Sequence, residues 1–320
     1  MIEEIAINFY KKIRKWQVPD YLKKNQIIID ASKLNKIKLS IRENYHKGWR
    51  SEENYASKEY SSDLNHHLIG RLEGDRCKYI PWLSKSVQLK GANVLEIGCG
   101  TGSSTVAIAE QGANVTGVDI DEDALKVAKE RCDIYNVPAT FILGNATDAL
   151  YELQSQKFDL IIFFASIEHM VYRERINCLR KYYDLLPIGA CLSIVETPNR
   201  LWYLDIHTSL LPFFDWLPDN LAFDYSKFSS RINFKELYNE YSDEKFLHFL
   251  RMGRGFSFHE LEIALNIPAE KCHVVDYLRR PFLPFSQEYR FHKFLTKIYP
   301  EISKGFFNPF IDIIMKKSQL

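Results

Sequence analysis

Between residues 91 and 197 short, almost wholly apolar runs alternate with longer stretches whose apolar residues recur every three or four positions. "NVLEI" (93–97), "NVTGVDI" (114–120), "ATFIL" (139–143), "FDLIIFF" (158–164) and "GACLSIVET" (189–197) read as five strands. Three helices fall between them. "SSTVAIAEQG" (103–112) ends at Gly112, and "EDALKVAKERCDIYN" (122–136) sets Ala124, Leu125, Val127 and Ala128 on one face. The third, Arg173–Leu186, is stopped by Pro187. Strands apolar on both faces, each followed by a helix, predict a parallel sheet covered on both sides. "CHVVDYL" (272–278) and "PFIDIIMKK" (309–317) supply two further strands. The expected class is α/β, a Rossmann-like doubly wound sheet of about seven mostly parallel strands.

The flanks break this rhythm. Residues 1–90 read as an N-terminal helical extension. Its first 16 residues put Ile2, Ile5, Ala6, Phe9, Ile13 and Trp16 on one helical face, with Lys11, Lys12, Arg14 and Lys15 mostly opposite. A helix packed on the domain is favoured there over one lying on a membrane surface. Residues 40–90 are polar, rich in tyrosine and histidine, and read as short helices. After the fifth strand, residues 198–270 are crowded with aromatics, among them Trp202, Tyr203, Phe213, Phe214 and Trp216. Long interruptions of this kind usually carry function, and this one reads as a mainly helical lid over an acceptor pocket. The alternative is an ordinary secondary core. Ser257 and Glu260 in "SFHE" read as a capping box, with His259 structural. Residues 271–320 complete the sheet.

Composition narrows the setting. Lys and Arg total 42 against 41 acidic residues, so net charge offers no footprint for nucleic acid or an anionic membrane. The six cysteines lie far apart without a CxxC pair, which suggests buried thiols in a reducing cytoplasm and neither a disulfide frame nor a zinc site. The longest apolar run, Leu160–Ala165, is too short to cross a bilayer, and Glu3 and Glu4 speak against a secretory signal.

The chemistry starts at "NVLEIGCGTG" (93–102). Gly98, Gly100 and Gly102 let the chain turn sharply and let a ligand approach the main chain. Asp119 closes the second strand, where a carboxylate can accept both hydroxyls of a ribose. A nicotinamide cofactor fits these features, but its fingerprint is G-x-G-x-x-G and this loop is G-x-G-x-G. Glu96 would also repel a pyrophosphate and favour an ammonium group. S-adenosylmethionine has an adenosine and an amino acid without phosphate. "VLEIGCGTG" closely resembles the first motif of class I methyltransferases, and the resemblance runs through residues 92–197. It implies that Asp119 binds the ribose and that Ile120 lies against the adenine. "LGNATD" (143–148) resembles the next motif, with Asn145 in place of the usual aspartate and Ala146 beside it; an amide carbonyl can still accept from an amine. A non-catalytic module that binds the cofactor, or nothing, is the remaining reading of these residues.

The acceptor site is expected just after the fourth strand, at "FFASIEHM" (163–170). This is not the [DN]-P-P-[FY] arrangement of base N-methyltransferases. Glu168 and His169 are similar to a Glu-His pair in ubiquinone-biosynthesis O-methyltransferases and small-RNA 2′-O-methyltransferases. In the RNA enzymes another carboxylate three residues earlier completes a metal set; here that place, beside the cofactor, is Ala165, so no metal is expected. His169 is the candidate base, and His207 a further ligand or a separate base. Glu168 can equally pair with Arg173 or Arg175. The reading is O-methylation of a small or medium-sized acceptor, sugar-, ring- or lipid-bearing, with RNA the alternative.

Overall fold

The computed structural model describes residues 18–319. The helix expected over residues 1–16 lies outside them. Seven strands form one sheet: β1 (Asn93–Ile97), β2 (Asn114–Asp119), β3 (Ala139–Leu143), β4 (Leu160–Phe164), β5 (Cys191–Pro198), β6 (Val274–Tyr277) and β7 (Phe310–Lys316). Their order is β3-β2-β1-β4-β5-β7-β6. β1, β4 and β5 run parallel, with Val94 opposite Leu160 and Leu160 opposite Cys191. β7 runs antiparallel to both β5 and β6. The sequence expectation of a mostly parallel sheet of seven strands is met. Every residue of β4 is buried, as a strand covered on both faces requires.

The chain divides into two compact units. The first contains the residues up to Gly91 together with Gly100–Val115 and Glu122–Ala139. The helix Ala31–Ser40, capped by the Asp30 side chain on the Lys33 amide, runs on into a π turn, Ile41–Tyr45. Instead of several short helices, an unbroken helical run extends from Ser57 to Leu83 with π turns at His66–Gly70 and Asp75–Tyr79. These elements share the unit with the helices Ser103–Ala109 and Glu122–Tyr135. Arg131 is completely buried and donates Nε to the Thr101 carbonyl (2.8 Å), Nη1 to that of Leu68 (3.2 Å) and Nη2 to that of His67 (2.8 Å). Arg76 donates Nε to Glu110 Oε2 at 3.0 Å, and Glu110 Oε1 also accepts the Ile27 amide. Neither arginine has an apolar environment alone to thank for its burial: each is surrounded by acceptors.

The second unit holds Ala92–Cys99, Thr116–Asp121 and everything from Thr140 onward. Its main core gathers Leu95, Ile97, Ile161, Phe163, Leu192 and Ile194 from the sheet with Leu179, Tyr182, Leu261 and Phe306 from the helices. Residues 198–270 are mainly helical, as expected, with helices Asp219–Tyr225, Ile232–Leu237, Asp243–Arg251 and Phe258–Leu265. Part of the aromatic content is indeed a secondary core: Phe214, Phe223, Phe234, Tyr238 and Phe249 pack together. Phe213 and Trp216 stay about half exposed. A helix at Gln287–Ile298, between β6 and β7, went unnoticed in the sequence pattern. The capping box does not form either. Ser257 is the N-cap but makes no side-chain capping bond, its hydroxyl lying 3.3 Å from His259 Nδ1, and the buried Glu260 carboxylate is engaged by Arg175 at 2.9 Å.

Candidate active site

β1 delivers Glu96, fully buried, and Gly98 to the head of the glycine turn. Gly98 has φ +77, and a Cβ there would lie 2.3 Å from Ser166 Cβ. Ser166 also donates its hydroxyl to the Ile97 carbonyl at 2.7 Å, so the end of β1 and the turn after β4 interlock where no side chain fits. Asp119 ends β2 and accepts the Asp121 amide at 2.9 Å, and Ile120 beside it is 68% exposed. Asn145 Oδ1 takes the Thr147 amide and hydroxyl, both at 2.9 Å, so the carbonyl expected to meet an adenine amine already serves two donors. The Ala146 carbonyl accepts the Tyr182 hydroxyl at 2.6 Å.

In the first unit Gly100 (φ +50) and Gly102 (φ +76) continue the turn. A Cβ on Gly100 would meet nothing within 4 Å. The Ser103 hydroxyl just beyond is buried without a hydrogen-bond partner, a polar atom that a ligand on the open side of the turn would satisfy. These residues fit a bound adenosyl amino acid.

A second group of side chains stands at the end of β4. Ala165 adopts φ +46, and a short 3-10 turn, Ile167–His169, follows. Glu168 is fully buried and its Oε1 has no hydrogen-bond partner. His169 Nε2 lies 3.9 Å from that oxygen. His169 Nδ1 is 2.8 Å from the Arg251 carbonyl, which can only accept, so Nδ1 carries the proton and Nε2 the lone pair. His207 comes from the loop after β5, its ring centroid 5.8 Å from that of His169. Its Nδ1 is 2.9 Å from the Thr208 hydroxyl, which itself donates to the Gly253 carbonyl at 2.7 Å. His207 therefore also keeps its proton on Nδ1 and its lone pair on Nε2. Burial holds the His207 imidazole below the ordinary histidine range, partly offset by the Glu168 carboxylate and reinforced by His169.

One ligand atom each from Glu168, His169 and His207 fall within 4.8 Å of one another. The three residues singled out from the sequence are thus brought together, although 38 residues of chain separate His169 from His207. Glu168 does not pair with Arg175 through its carboxylate. Arg175 Nη2 takes the Glu168 main-chain oxygen instead, and its charge goes to Glu260.

Several supporting residues escaped the sequence reading. Asp205, buried, accepts the amides of His207 and Thr208 at 2.9 Å and the Ser209 hydroxyl at 2.7 Å, and so shapes the turn that presents His207. The stretch Arg251–Gly255 supplies the Arg251 carbonyl to His169, the Gly253 carbonyl to Thr208 and the Arg254 amide to the Glu168 carbonyl. At Gly253, φ +110, a Cβ would press on the His207 ring at 3.0 Å. "DIHTS" resembles an Asx turn in retrospect, but nothing in "RMGRG" marks it as the histidines' support. A bulge in β5, between Ile194 and Thr197, brings the Thr197 hydroxyl to 3.4 Å from Glu168 Oε2.

Residues 94–189 match the family described as a methyltransferase domain. A protein named as a ribosomal RNA large subunit methyltransferase of Methanocaldococcus jannaschii is 35% identical over 117 residues, covering 35% of this chain and 30% of the relative. A ubiquinone biosynthesis O-methyltransferase of Xylella fastidiosa is 30% identical over 134 residues, covering 42% of this chain and 50% of the relative. The chain therefore spans half or less of the length of these curated relatives. A solved S-adenosylmethionine-dependent methyltransferase of Methanosarcina mazei aligns with TM-score 0.44 and 19% identity, covering 74% of this chain and 97% of that one. With the glycine turn after β1, the acid closing β2 and the family match over the same strands, the segment 94–189 is a methyltransferase domain of the class I S-adenosylmethionine-dependent family.

Proposed function

We propose that the protein is an S-adenosylmethionine-dependent O-methyltransferase acting on a small or medium-sized acceptor, with His169 as the base. The observation that carries this reading is the dyad of Glu168 and His169: a buried, unpartnered carboxylate oxygen 3.9 Å from an imidazole nitrogen that holds a lone pair. The cofactor supplies an electrophilic methyl group. Glu96 would hold its ammonium and Asp119 its ribose, and the bare backbone at Gly98 would let it approach. His169 Nε2 would take the proton of the acceptor hydroxyl as that oxygen accepts the methyl group. Glu168 stabilises the imidazolium that results, its buried carboxylate being more effective there than in water. His207, kept neutral by burial, orients the acceptor hydroxyl without adding a competing positive charge. Alignment of the acceptor with the carbon–sulfur bond can supply up to ~7–11 kcal/mol of the barrier reduction in favourable cases.

Trp202, Tyr203, Trp216, Phe282 and Phe291 form a connected aromatic group, with Trp202 stacked on Phe282 at 5.8 Å and Tyr203 edge-on to Phe291 at 5.0 Å. Such a surface supports a ring-bearing or apolar acceptor. The free state of all six cysteines supports a cytoplasmic setting. Among the described residues no helix is long and apolar enough to cross a membrane.

The test is His169→Ala. Turnover should fall by roughly 10²–10⁴-fold while affinity for S-adenosylhomocysteine, measured by calorimetry, stays within about twofold. Unchanged turnover would remove His169 from the role of base.

A further inference from the structure

A second cluster of titratable side chains lies in the N-terminal helices, apart from any residue given a part in methyl transfer. His46 follows the π turn Ile41–Tyr45, and Asp63 and His67 stand one helical turn apart across the start of the π turn His66–Gly70. His46 is buried with no exposed side-chain surface, and His67 keeps a tenth of its side-chain surface. His46 Nε2 is 3.2 Å from Asp63 Oδ2, and His67 Nε2 is 3.7 Å from Asp63 Oδ1. Despite this closeness, both ring nitrogens of His46, Asp63 Oδ2 and His67 Nδ1 are buried without a hydrogen bond of usable geometry.

From this arrangement we infer that His46, Asp63 and His67 bind a first-row divalent metal ion, zinc by the chemistry of the set. Two imidazoles and one carboxylate are donors that such an ion prefers to magnesium or calcium. One ligand atom from each residue lies within 4.8 Å of the others. Two ligands held 2.0–2.1 Å from a tetrahedral ion are ~3.3 Å apart, close to the 3.2 Å between His46 Nε2 and Asp63 Oδ2. A buried polar group without a partner costs about 1–3 kcal/mol, and four such atoms in one place are rare in a native fold. An ion bound by His46 Nε2 and Asp63 Oδ2 would give two of these atoms a partner.

The surroundings suit a structural ion. Ligation requires neutral imidazole rings and an ionised carboxylate, which this set can supply. Tyr60 packs edge-on against His46 at 5.3 Å and Tyr45 against His67 at 4.9 Å, fixing both rings. Arg50, near Asp63, sits over the Tyr45 ring at 4.4 Å, so the ion and Arg50 share the carboxylate's charge. The Asp63 side chain remains 29% exposed, which gives an ion a way in and a place for a water as fourth ligand. π turns in helices occur frequently at functional sites, and two of them flank this cluster. The His67 carbonyl is held by Arg131, so the ion would fix an element already pinned to Thr101 at the glycine turn.

The test is a cobalt(II) titration of the chelator-stripped full chain, followed by calorimetry and visible absorption. The parent should bind cobalt without a thiolate charge-transfer band, and Asp63→Asn and His67→Gln should each bind one equivalent fewer. Equal binding by parent and variants would overturn the site, as would no binding by the parent. To keep the result independent of how the variants fold, amide NMR of the parent with cobalt should show paramagnetic broadening at residues 41–46 and 63–67. Broadening confined to residues 166–169 and 207 would also overturn it.

Discussion

His169 and His207 are presented in the same tautomer but differ in how much water each keeps. The His169 side chain is 44% exposed, whereas burial lowers the pKa of His207. This difference has a sign that can be measured. A histidine whose folded-state pKa lies below its unfolded value near 6.5 binds fewer protons when folded. Its contribution to stability is complete above pH 6.5 and is lost as the pH falls through the lowered folded value. Urea unfolding at pH 7 and pH 5 should therefore show a loss of up to about 1.4 kcal/mol per pH unit attributable to His207. His207→Gln should flatten that part of the profile, and an unchanged slope would mean that the ring titrates normally. Asp119 belongs to the same scale. On the proposed assignment Asp119→Ala removes charge-assisted hydrogen bonds to a ribose worth about 1.5–3 kcal/mol, so S-adenosylhomocysteine should bind roughly 10–150-fold more weakly by calorimetry. The candidate site residues were legible because Asp119 closes a strand, Glu96 interrupts an apolar one, and Glu168 and His169 follow the most apolar run of the chain. Asp205 and Gly253 were not: Asp205 acts through main-chain hydrogen bonds in the turn at His207, and Gly253 packs on the His207 ring from 46 positions further along the chain.

At the scale of elements, the glycine turn separates two costs that sequence alone merges. Gly98 and Gly100 both have positive φ, but of the two only at Gly98 would an added Cβ meet a neighbour within 4 Å. Alanine at 100 should cost about 1–2 kcal/mol for the left-handed backbone alone. Alanine at 98 adds a Cβ 2.3 Å from Ser166 Cβ and should cost clearly more, with the turn after β4 displaced as well. Thermal melting of the two variants checks the order; equal losses would mean that Ser166 moves aside freely. Arg131 offers a second contrast. Three main-chain carbonyls converge on its guanidinium, and Arg131→Met should destabilise the chain by about 3 kcal/mol or more in urea unfolding. A loss under 1 kcal/mol would show that the carbonyls find other partners. The strands and their intervening helices were legible in the sequence because each apolar run is long and unbroken. The helix Gln287–Ile298 went unread although Phe291, Phe294, Leu295 and Ile298 recur at helical spacing, because it interrupts the strands at the end of the chain where only sheet-forming runs were sought. The capping box at Ser257 failed for another reason: a buried arginine, Arg175, outcompeted the local backbone for Glu260.

At the scale of the whole molecule, the match to a methyltransferase domain covers less than a third of the chain, and on the proposed reading the rest selects the acceptor. The family match covers residues 94–189, and the curated relatives include both a ubiquinone biosynthesis enzyme and a ribosomal RNA enzyme. The near-equal count of basic and acidic residues offers no general attraction for a polyanion, which favours the small acceptor. The aromatic residues of 198–270 were visible in the sequence, but their division into a packed core around Phe249 and a half-exposed group at Phe213 and Trp216 depends on contacts no pattern encodes. The most direct measurement uses cofactor labelled in its methyl group, incubated with the full chain and a cell extract separated into small-molecule and RNA fractions. The account predicts label in the small-molecule fraction, on oxygen by NMR of the isolated product, and none with Asp119→Ala. Label entering RNA alone, or a methyl found on nitrogen or carbon, would contradict it.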